Sequence, residues 1–171
     1  AGLHLDLTRA PEQLKKALKV VPKDKVLSLG VVDGRNIWKS DLSKIIRTLR
    51  PVVQKRGLDA FVIAPSCSLL HSPMALRLET KLDSELKSWL SFAKEKLQEL
   101  ELLRKALSGS EQSVADGLRE NERDVESRRA STRIHKARVK QRIAKLRPRD
   151  YQRKSAFKAR QPLQRQKLGL P

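Results

Sequence analysis

Three apolar runs, separated by stretches of helical spacing, organise the first 65 residues of the chain. Residues 3–7 alternate apolar and polar side chains, residues 26–32 are almost continuously apolar, and residues 60–64 form the third run. Alternation with period two is typical of a half-exposed strand, and a continuous apolar run is typical of a parallel strand that is buried on both faces. The sequence therefore predicts three strands at these positions.

Two helices are predicted between the strands. The first begins at Pro11, a residue that suits the first turn of a helix. The second is capped by Ser40 or Asp41, repeats apolar residues at spacings of three and four, and ends at Gly57. Pro51 lies inside it and is expected to kink or shorten it. This alternation predicts parallel βαβ units, which fit part of a (β/α)₈ barrel or part of a doubly wound sheet.

Beyond residue 73 the chain is predicted to be helical. One long helix is expected from an N-cap at Asp83 to about Gly109, with Trp89 and a row of leucines that includes Leu97 on one face. Further helices are expected at about residues 111–129, 136–146 and 155–167. The predicted fold class is therefore α/β, with three parallel strands followed by an α-helical segment.

Charge divides the chain unevenly. The whole sequence contains 38 Lys and Arg against 19 Asp and Glu, and residues 128–171 hold 16 of the basic residues but one acidic residue, Asp150. Positive charge at this density attracts the phosphate backbone of nucleic acids. A nucleic-acid-binding module in residues 128–171 is therefore one hypothesis. Only Tyr151 and Phe157 could stack on bases there, which favours a solvated helical surface or one packed against an acidic partner.

Cysteine content, apolar runs and the start of the chain indicate the cellular compartment and the extent of the protein. The chain has one cysteine, which indicates a reducing compartment such as the cytoplasm. No apolar run approaches the roughly 20 residues of a membrane span, and no signal peptide is evident, so no membrane partner is expected. The chain begins inside a strand-like run without an initiator Met, and we expect that it belongs to a longer protein.

The first candidate site follows the second predicted strand, at Asp33-Gly34-Arg35-Asn36. Asp33 could accept a hydrogen bond from a ligand, and Arg35 could bind a carboxylate through two parallel hydrogen bonds. The alternative is a structural loop in which Asp33 and Asn36 cap backbone groups. The sequence favours this structural alternative without excluding the first.

The second candidate site follows the third predicted strand and comprises Ser66, Cys67, Ser68 and His71. Cys67 stands where a barrel enzyme would keep a nucleophile or a metal ligand. One Cys and one His make half of a zinc site, and a nucleophilic pair would lack an orienting partner. A buried, inert thiol beside a hydrogen-bonded histidine is therefore the favoured alternative.

Several segments together resemble a known family. Residues 5–14, 27–38, 64–71, 79–93, 127–135 and 164–171 are similar to cobalamin-independent methionine synthase, and the most specific are Val-Val-Asp-Gly-Arg-Asn-Ile-Trp and Ser-Cys-Ser-Leu-Leu-His. After His135 the family usually reads Asn-Pro, whereas this chain has Lys136-Ala137, and its linker is unusually basic. The resemblance covers nearly the whole chain.

The resemblance implies a fold and an activity. Members of the family are methyltransferases with two (β/α)₈ barrels, and they move a methyl group from 5-methyltetrahydrofolate polyglutamate to homocysteine in methionine biosynthesis. Zinc holds the homocysteine thiolate, and its ligands belong to the C-terminal barrel; no cobalamin takes part. The family resemblance places this chain at the last three strands of the N-terminal barrel, its closing helices and the linker.

The resemblance also sets the expectations for this chain. Residues 1–107 should form a partial barrel with a closing helix, and residues 108–171 a basic helical linker. The chain alone should be inactive and unstable, because three parallel strands cannot close a barrel. Cys67 is expected to be a relic of a metal ligand, and no residue is assigned as a catalyst. The expected wall of the substrate cleft consists of Asp33, Arg35, Asn36, Ser66 and His71.

Overall fold

The structure is a computed structural model and describes residues 2–169. The contacts between residues divide it into two compact units, which meet at the bond between Ala130 and Ser131. Three residues named in the predictions lie outside the described residues. They are residues 1 and 171, the end points of the predicted domains, and residue 170, which with 171 ends the family-like segment 164–171. The predicted division after residue 107, which concerns the complete protein, stays a prediction.

The first unit is built on a parallel three-stranded sheet in the order β1-β2-β3. The strands are β1 (Gly2–Asp6), β2 (Val26–Val32) and β3 (Phe61–Pro65). All three predicted strands are therefore confirmed, and each end agrees with the prediction to within one residue. The helices that follow them are α1 (Gln13–Val20) and α2 (Leu42–Arg56). The mixed fold class predicted from the alternation of elements is therefore confirmed.

One face of the sheet is covered by these helices. Leu5, Leu27 and Leu29 point towards α1 and α2 and are buried, with Leu27 and Leu29 fully inaccessible to solvent. Burying each leucine contributes about 1.5–3 kcal/mol relative to an exposed one, so this layer holds the sheet to its helices. The other face is open, since Val62 in the middle of β3 is 51% exposed.

Of the two effects predicted for Pro51, the shortening of the helix does not occur, and the kink stays a prediction. Helix α2 includes Pro51 and continues to Arg56. Its end is as predicted, because Gly57 adopts a φ of 93°, where residues with a side chain are strained. The predicted N-cap is also confirmed, since the Asp41 carboxylate accepts a hydrogen bond from the backbone N–H of Lys44 at 2.9 Å.

The single long helix predicted after Asp83 is instead two helices, α3 (Ser84–Trp89) and α4 (Ala93–Leu107). Between them, residues 90–92 are extended and form an isolated antiparallel bridge in which Leu90 pairs with Trp38. The backbone N–H of Ser91 donates to the Ile37 carbonyl at 2.8 Å. The helix is interrupted because this segment satisfies its hydrogen bonds with a distant loop, which a local pattern cannot show.

The first unit ends with α5 (Ala115–Ala130), which is preceded by a short 3₁₀ turn at Glu111–Val114. Residues 131–169 form the second unit, with helices α6 (Ala137–Ala144) and α7 (Phe157–Leu168) and a 3₁₀ turn at Pro148–Tyr151. Side chains of the second unit are mostly exposed, and the Arg160 guanidinium lies 5.8 Å from the centre of the Phe157 ring. In the described part of the chain, no helix is both long and apolar enough to cross a membrane.

Candidate functional site

The carboxyl ends of the three strands meet at one edge of the sheet and bring the predicted site residues together. The backbone N–H of Ser66, just after β3, donates to the Val32 carbonyl at the end of β2 at 2.7 Å. The backbone N–H of Leu7, just after β1, donates to the Gly30 carbonyl at 2.9 Å. Parallel strands end at the same edge, so the loops after β1, β2 and β3 are neighbours although they are about 30 residues apart in sequence.

Ser66 joins the loop after β3 to the loop after β2. It is buried, and its Oγ accepts a hydrogen bond from the backbone N–H of Gly34 at 3.1 Å. A Cβ on Gly34 would lie only 2.8 Å from the carbonyl oxygen of Cys67 and 3.0 Å from its Sγ. Glycine is therefore required at position 34 because the two loops approach each other too closely for a side chain.

Asp33 and Asn36 shape the loop itself. One carboxylate oxygen of Asp33 accepts from the backbone N–H of Arg35 at 2.8 Å, and the other accepts from Asn36 Nδ2 at 2.8 Å. Asn36 Oδ1 in turn accepts from the backbone N–H of Trp38 at 3.0 Å. These contacts agree with the structural loop that the sequence favoured. They leave the Arg35 side chain exposed at the edge of the sheet.

Lys96 on α4 lies directly beneath this loop and was not identified from the sequence. Its side chain is fully inaccessible to solvent. Its ammonium donates to the Trp38 carbonyl at 3.2 Å and to Asn36 Oδ1 at 3.4 Å. Burial lowers the pKa of Lys96, while the charges of Glu99 and Asp33 raise it. The ammonium therefore connects a helix of the covering layer to the loop that carries the candidate residues.

His4 is a second residue that was not predicted to lie near the candidate site. It lies on the open face of β1, where Nδ1 is 2.8 Å from Ser28 Oγ and Nε2 is 3.2 Å from the Ser66 carbonyl oxygen. The ring thus connects β1 to β2 and to the residue that follows β3. The alternation in residues 3–7 placed His4 on the face opposite the leucines, and that signal becomes informative only when the strand order is known.

The loop after β1 is held by Asp6. Its Oδ1 accepts from the Thr8 hydroxyl at 2.7 Å and from the backbone N–H groups of Thr8 and Arg9 at 3.0 and 3.2 Å. Burial tends to raise the pKa of Asp6, but these hydrogen bonds outweigh it and hold the pKa below the ordinary value. Arg9 also lies 3.8 Å from Asp33, so charge links the first and second loops.

Helix α5 fixes the segment that follows the Asp33 loop. Asn121 Nδ2 donates to the Ser40 carbonyl at 3.0 Å, and Asn121 Oδ1 accepts from the backbone N–H of Leu42 at 3.2 Å. Lys39 Nζ lies 2.5 Å from Asp124 Oδ2. The Arg128 guanidinium lies 4.9 Å from the centre of the Trp38 ring. Polar and cation–π contacts from one helix thus hold the turn into α2 in place.

The residues present do not assemble a metal site. Cys67 is half-buried beside Gly34 and Ser66, and His71 is exposed. Within residues 2–169, no group of three or more His, Cys, Asp or Glu side chains is placed to hold a metal ion. A zinc site needs three or four such ligands, so Cys67 and His71 do not fit one.

Comparison with known proteins shows which family this chain is similar to. Residues 1–57 match the family model described as "Cobalamin-independent synthase, N-terminal domain". Over 171 residues, the whole chain is 51% identical to a protein of Rhodopseudomonas palustris and 50% identical to one of Acidithiobacillus ferrooxidans. Over 170 residues, 99% of the chain, it is 47% identical to a protein of Caulobacter vibrioides.

All three relatives carry the name 5-methyltetrahydropteroyltriglutamate–homocysteine methyltransferase. The chain spans 22% of the length of each of them, and the match includes the basic residues 128–169 as well as the sheet. The segments that suggested the family from the sequence alone are therefore supported over the full length. Over its whole length the chain is therefore similar to the cobalamin-independent methionine synthases, and it spans 22% of the length of these relatives.

Proposed function

We propose that the protein to which this chain contributes transfers a methyl group from 5-methyltetrahydropteroyltriglutamate to homocysteine. The observation that carries this proposal is the 51% identity, over the whole chain, to a relative with that name. The aligned region includes the sheet, the covering helices and the basic segment. We therefore assign residues 128–171 to the methyltransferase, as a linker, and not to a separate nucleic-acid-binding module.

Within that protein, we assign residues 1–107 to the last three strands and closing helix of the N-terminal (β/α)₈ barrel. Three features support this role: the strands are parallel, helices cover one face, and the other face exposes Val62 and His4. In a closed barrel the open face would be the filled interior. Residues 108–171 would then lead to the C-terminal barrel, which we regard as the partner that completes the enzyme.

The chain supplies positioning in this proposal, and it supplies no catalyst. Ser66, Asp33 and Asn36 hold the strand-end loops through backbone hydrogen bonds. Of the five expected wall residues, Arg35 and His71 are the exposed ones, and they remain available to contact a substrate. The substrate named for the relatives carries several carboxylates, which an arginine at the mouth of a barrel would attract.

We place the zinc site of the reaction outside this chain. Cys67 lacks the further ligands that zinc requires, and we therefore regard it as a relic of a metal ligand and derive no step through it. The single cysteine remains in keeping with a reducing compartment, and we propose that the enzyme works in the cytoplasm.

The experiment that tests the function compares the complete protein with the 171-residue chain. Each is incubated with zinc, homocysteine and 5-methyltetrahydropteroyltriglutamate, and methionine is measured. The complete protein is expected to turn over, and the chain alone to give no methionine above the background. Turnover by the chain alone would overturn the assignment of the zinc site elsewhere. A folded, zinc-loaded complete protein without turnover would overturn the methyltransferase proposal.

The role of the cleft wall has a separate test. In the complete protein, Arg35→Ala and His71→Ala are each expected to lower kcat/KM by about 10-fold, mainly through a higher KM for the folate, because each removes one exposed polar contact. Lys16→Ala, a change at an exposed position of helix α1 that is outside the expected wall, is the matched control. A kcat/KM equal to that of the control in both variants would remove these two residues from the wall.

A further inference from the structure

A groove of about 610 Å³ runs between helices α1 and α2 on the helical side of the sheet. Its floor is apolar and is formed by Leu14, Leu18, Pro51 and Val52. Leu14 is buried, and Leu18 and Val52 pack against the same core as the strand leucines. The floor is therefore an extension of the hydrophobic core that reaches solvent, backed by a rigid sheet.

The charged residues that line this groove are all cations. Lys15 and Lys19 lie on α1 at a spacing of four residues, and Lys23 lies in the segment after this helix. On the other side, Lys55 and Arg56 close the last turn of α2. None of the four lysines forms a salt bridge with another described residue. The groove therefore presents five positive charges around an apolar floor.

Arg56 fixes the end of the groove at which most of these charges gather. Its guanidinium donates to the carbonyls of Val21, Pro22 and Lys25 at 3.3, 2.6 and 2.9 Å. Lys25 immediately precedes β2, so this end lies at the amino ends of the strands. The candidate site lies at the carboxyl ends, so this basic end of the groove lies away from the proposed methyl-transfer cleft.

Neighbouring cavities in the same unit differ in charge. The cavity between α2 and α5 combines Arg47 and Arg50 with Glu111 and Glu122. The cavity between β3 and α4 combines Arg104 with Asp59 and Glu101. Charges of both signs neutralise one another in these two cavities, whereas the groove between α1 and α2 has no acidic lining residue. An anionic partner is what its lining would complement.

We propose that this groove docks an acidic peptide segment of another protein, with one or two apolar side chains on the floor and carboxylates along the rim. The cations lie along both walls, so a ligand with a single anionic head would leave most of them without a counter-charge. Carboxylates at i and i+4 of a partner helix have the same spacing as Lys15 and Lys19. This binding role goes beyond the proposed methyl transfer and does not depend on it.

The test uses the complete protein and a fluorescein-labelled helical peptide that carries Leu at i, i+4 and i+7 and Glu at the flanking positions. Fluorescence anisotropy is measured at about 150 mM salt, where diffuse surface attraction is screened beyond roughly 8 Å. Saturable binding is expected. Lys19→Glu and Lys55→Glu should each weaken it by about 10-fold, and the milder Lys19→Gln by about 3-fold.

Lys16→Glu is the matched control, because Lys16 is an exposed lysine on α1 that does not line the groove. It should change the dissociation constant by less than about 2-fold. An effect of Lys16→Glu equal to that of Lys19→Glu would show a diffuse charge effect and overturn the proposal. A peptide with its leucines changed to serine should no longer bind. If it bound as tightly as the leucine peptide, the apolar floor would have no role in binding and the proposal would be overturned. Saturable binding of oleate without binding of the peptide would assign the groove to a small amphiphile and equally overturn the proposal.

Discussion

Buried charge is the main feature of this chain at the scale of single residues. Helix α4 turns Lys96 and Glu99 inward, next to Leu103 and Ala106. Glu99 Oε1 accepts from the backbone N–H of Ser40 at 3.2 Å, in the segment that leads into α2. Isolated charges are costly to bury. The cost is reduced here because both side chains contact the backbone and their opposite charges interact. The apolar stripe predicted for this helix included Leu97, which is instead 56% exposed.

Glu99 makes stability depend on pH. Burial raises its pKa above the ordinary 4.5, although hydrogen bonds from Ser40 and the charge of Lys96 lower it. The folded protein therefore holds this proton more tightly than the unfolded chain does. The resulting stabilisation is fully present below pH 4.5 and is lost as the pH rises through the raised pKa. Glu99→Gln should remove this loss in the complete protein, measured as the midpoint of thermal unfolding against pH.

Glu101→Gln is the control for this prediction, because it lies on the same helix with the opposite shift. A hydrogen bond from Arg104 lowers the pKa of Glu101 to about 2. Any stabilisation from this exposed carboxylate is present above its ordinary pKa and disappears as the pH falls. Both variants should therefore match the wild type at low pH, where the two carboxyls are protonated, and diverge from it as the pH rises. Glu99→Gln should then be more stable than the wild type, and Glu101→Gln less stable. Identical profiles for Glu99→Gln and the wild type would show that the carboxyl does not titrate on unfolding.

At the scale of elements, α5 determines the geometry of a loop that is distant in sequence. The helix has few apolar residues, and Asn121, Asp124 and Val125 are the buried ones. Two of these three are polar and contact residues 39–42 directly. A helix that appeared thinly anchored from its apolar pattern is thus held by specific hydrogen bonds, which also position the turn after the candidate site.

Asn121→Ala should loosen that turn. The substitution leaves the Leu42 N–H and the Ser40 carbonyl without their side-chain partner, and an unsatisfied buried group costs about 1–3 kcal/mol. Hydrogen exchange at the amide of Leu42 in the complete protein should therefore accelerate by at least about 5-fold, which corresponds to about 1 kcal/mol of local opening. Glu122→Ala, the exposed neighbour on the same helix, should leave this rate unchanged. Equal rates in the two variants would contradict the bracing role of Asn121.

At the scale of the whole molecule, the first unit is an incomplete layer structure. The sheet has helices on one face only, and both β1 and β3 are edge strands within the described residues. The open face of the central region carries His4, Ser28, Val62 and Ala64, which a barrel would enclose. Unpaired strand edges and an exposed apolar interior favour association with other chains.

The 171-residue chain alone should therefore lack a stable monomeric fold. Size-exclusion chromatography is expected to show aggregates or oligomers, and circular dichroism a broad thermal transition. Val62→Thr, which makes the open face more polar without changing the strand, should reduce aggregation, whereas Lys16→Thr should not. A sharp, reversible transition of a monomer would contradict the prediction and show that the open sheet is stable in water.

The amino-acid sequence by itself determined the local elements of this protein and its similarity to a known family. The three strands, the caps at Asp41 and Asp83, and the end of α2 at Gly57 follow from side-chain periodicity and turn chemistry, which act between close neighbours in the chain. Only the tertiary structure decided the break at residues 90–92, the contacts of His4 with β2 and with the residue that follows β3, and the position of Lys96 beneath the Asp33 loop. These features arise from hydrogen bonds between residues 24 to 62 positions apart. Their partners can be named only after the strands have paired and the helices have packed, because no short stretch of sequence contains both ends of such a contact.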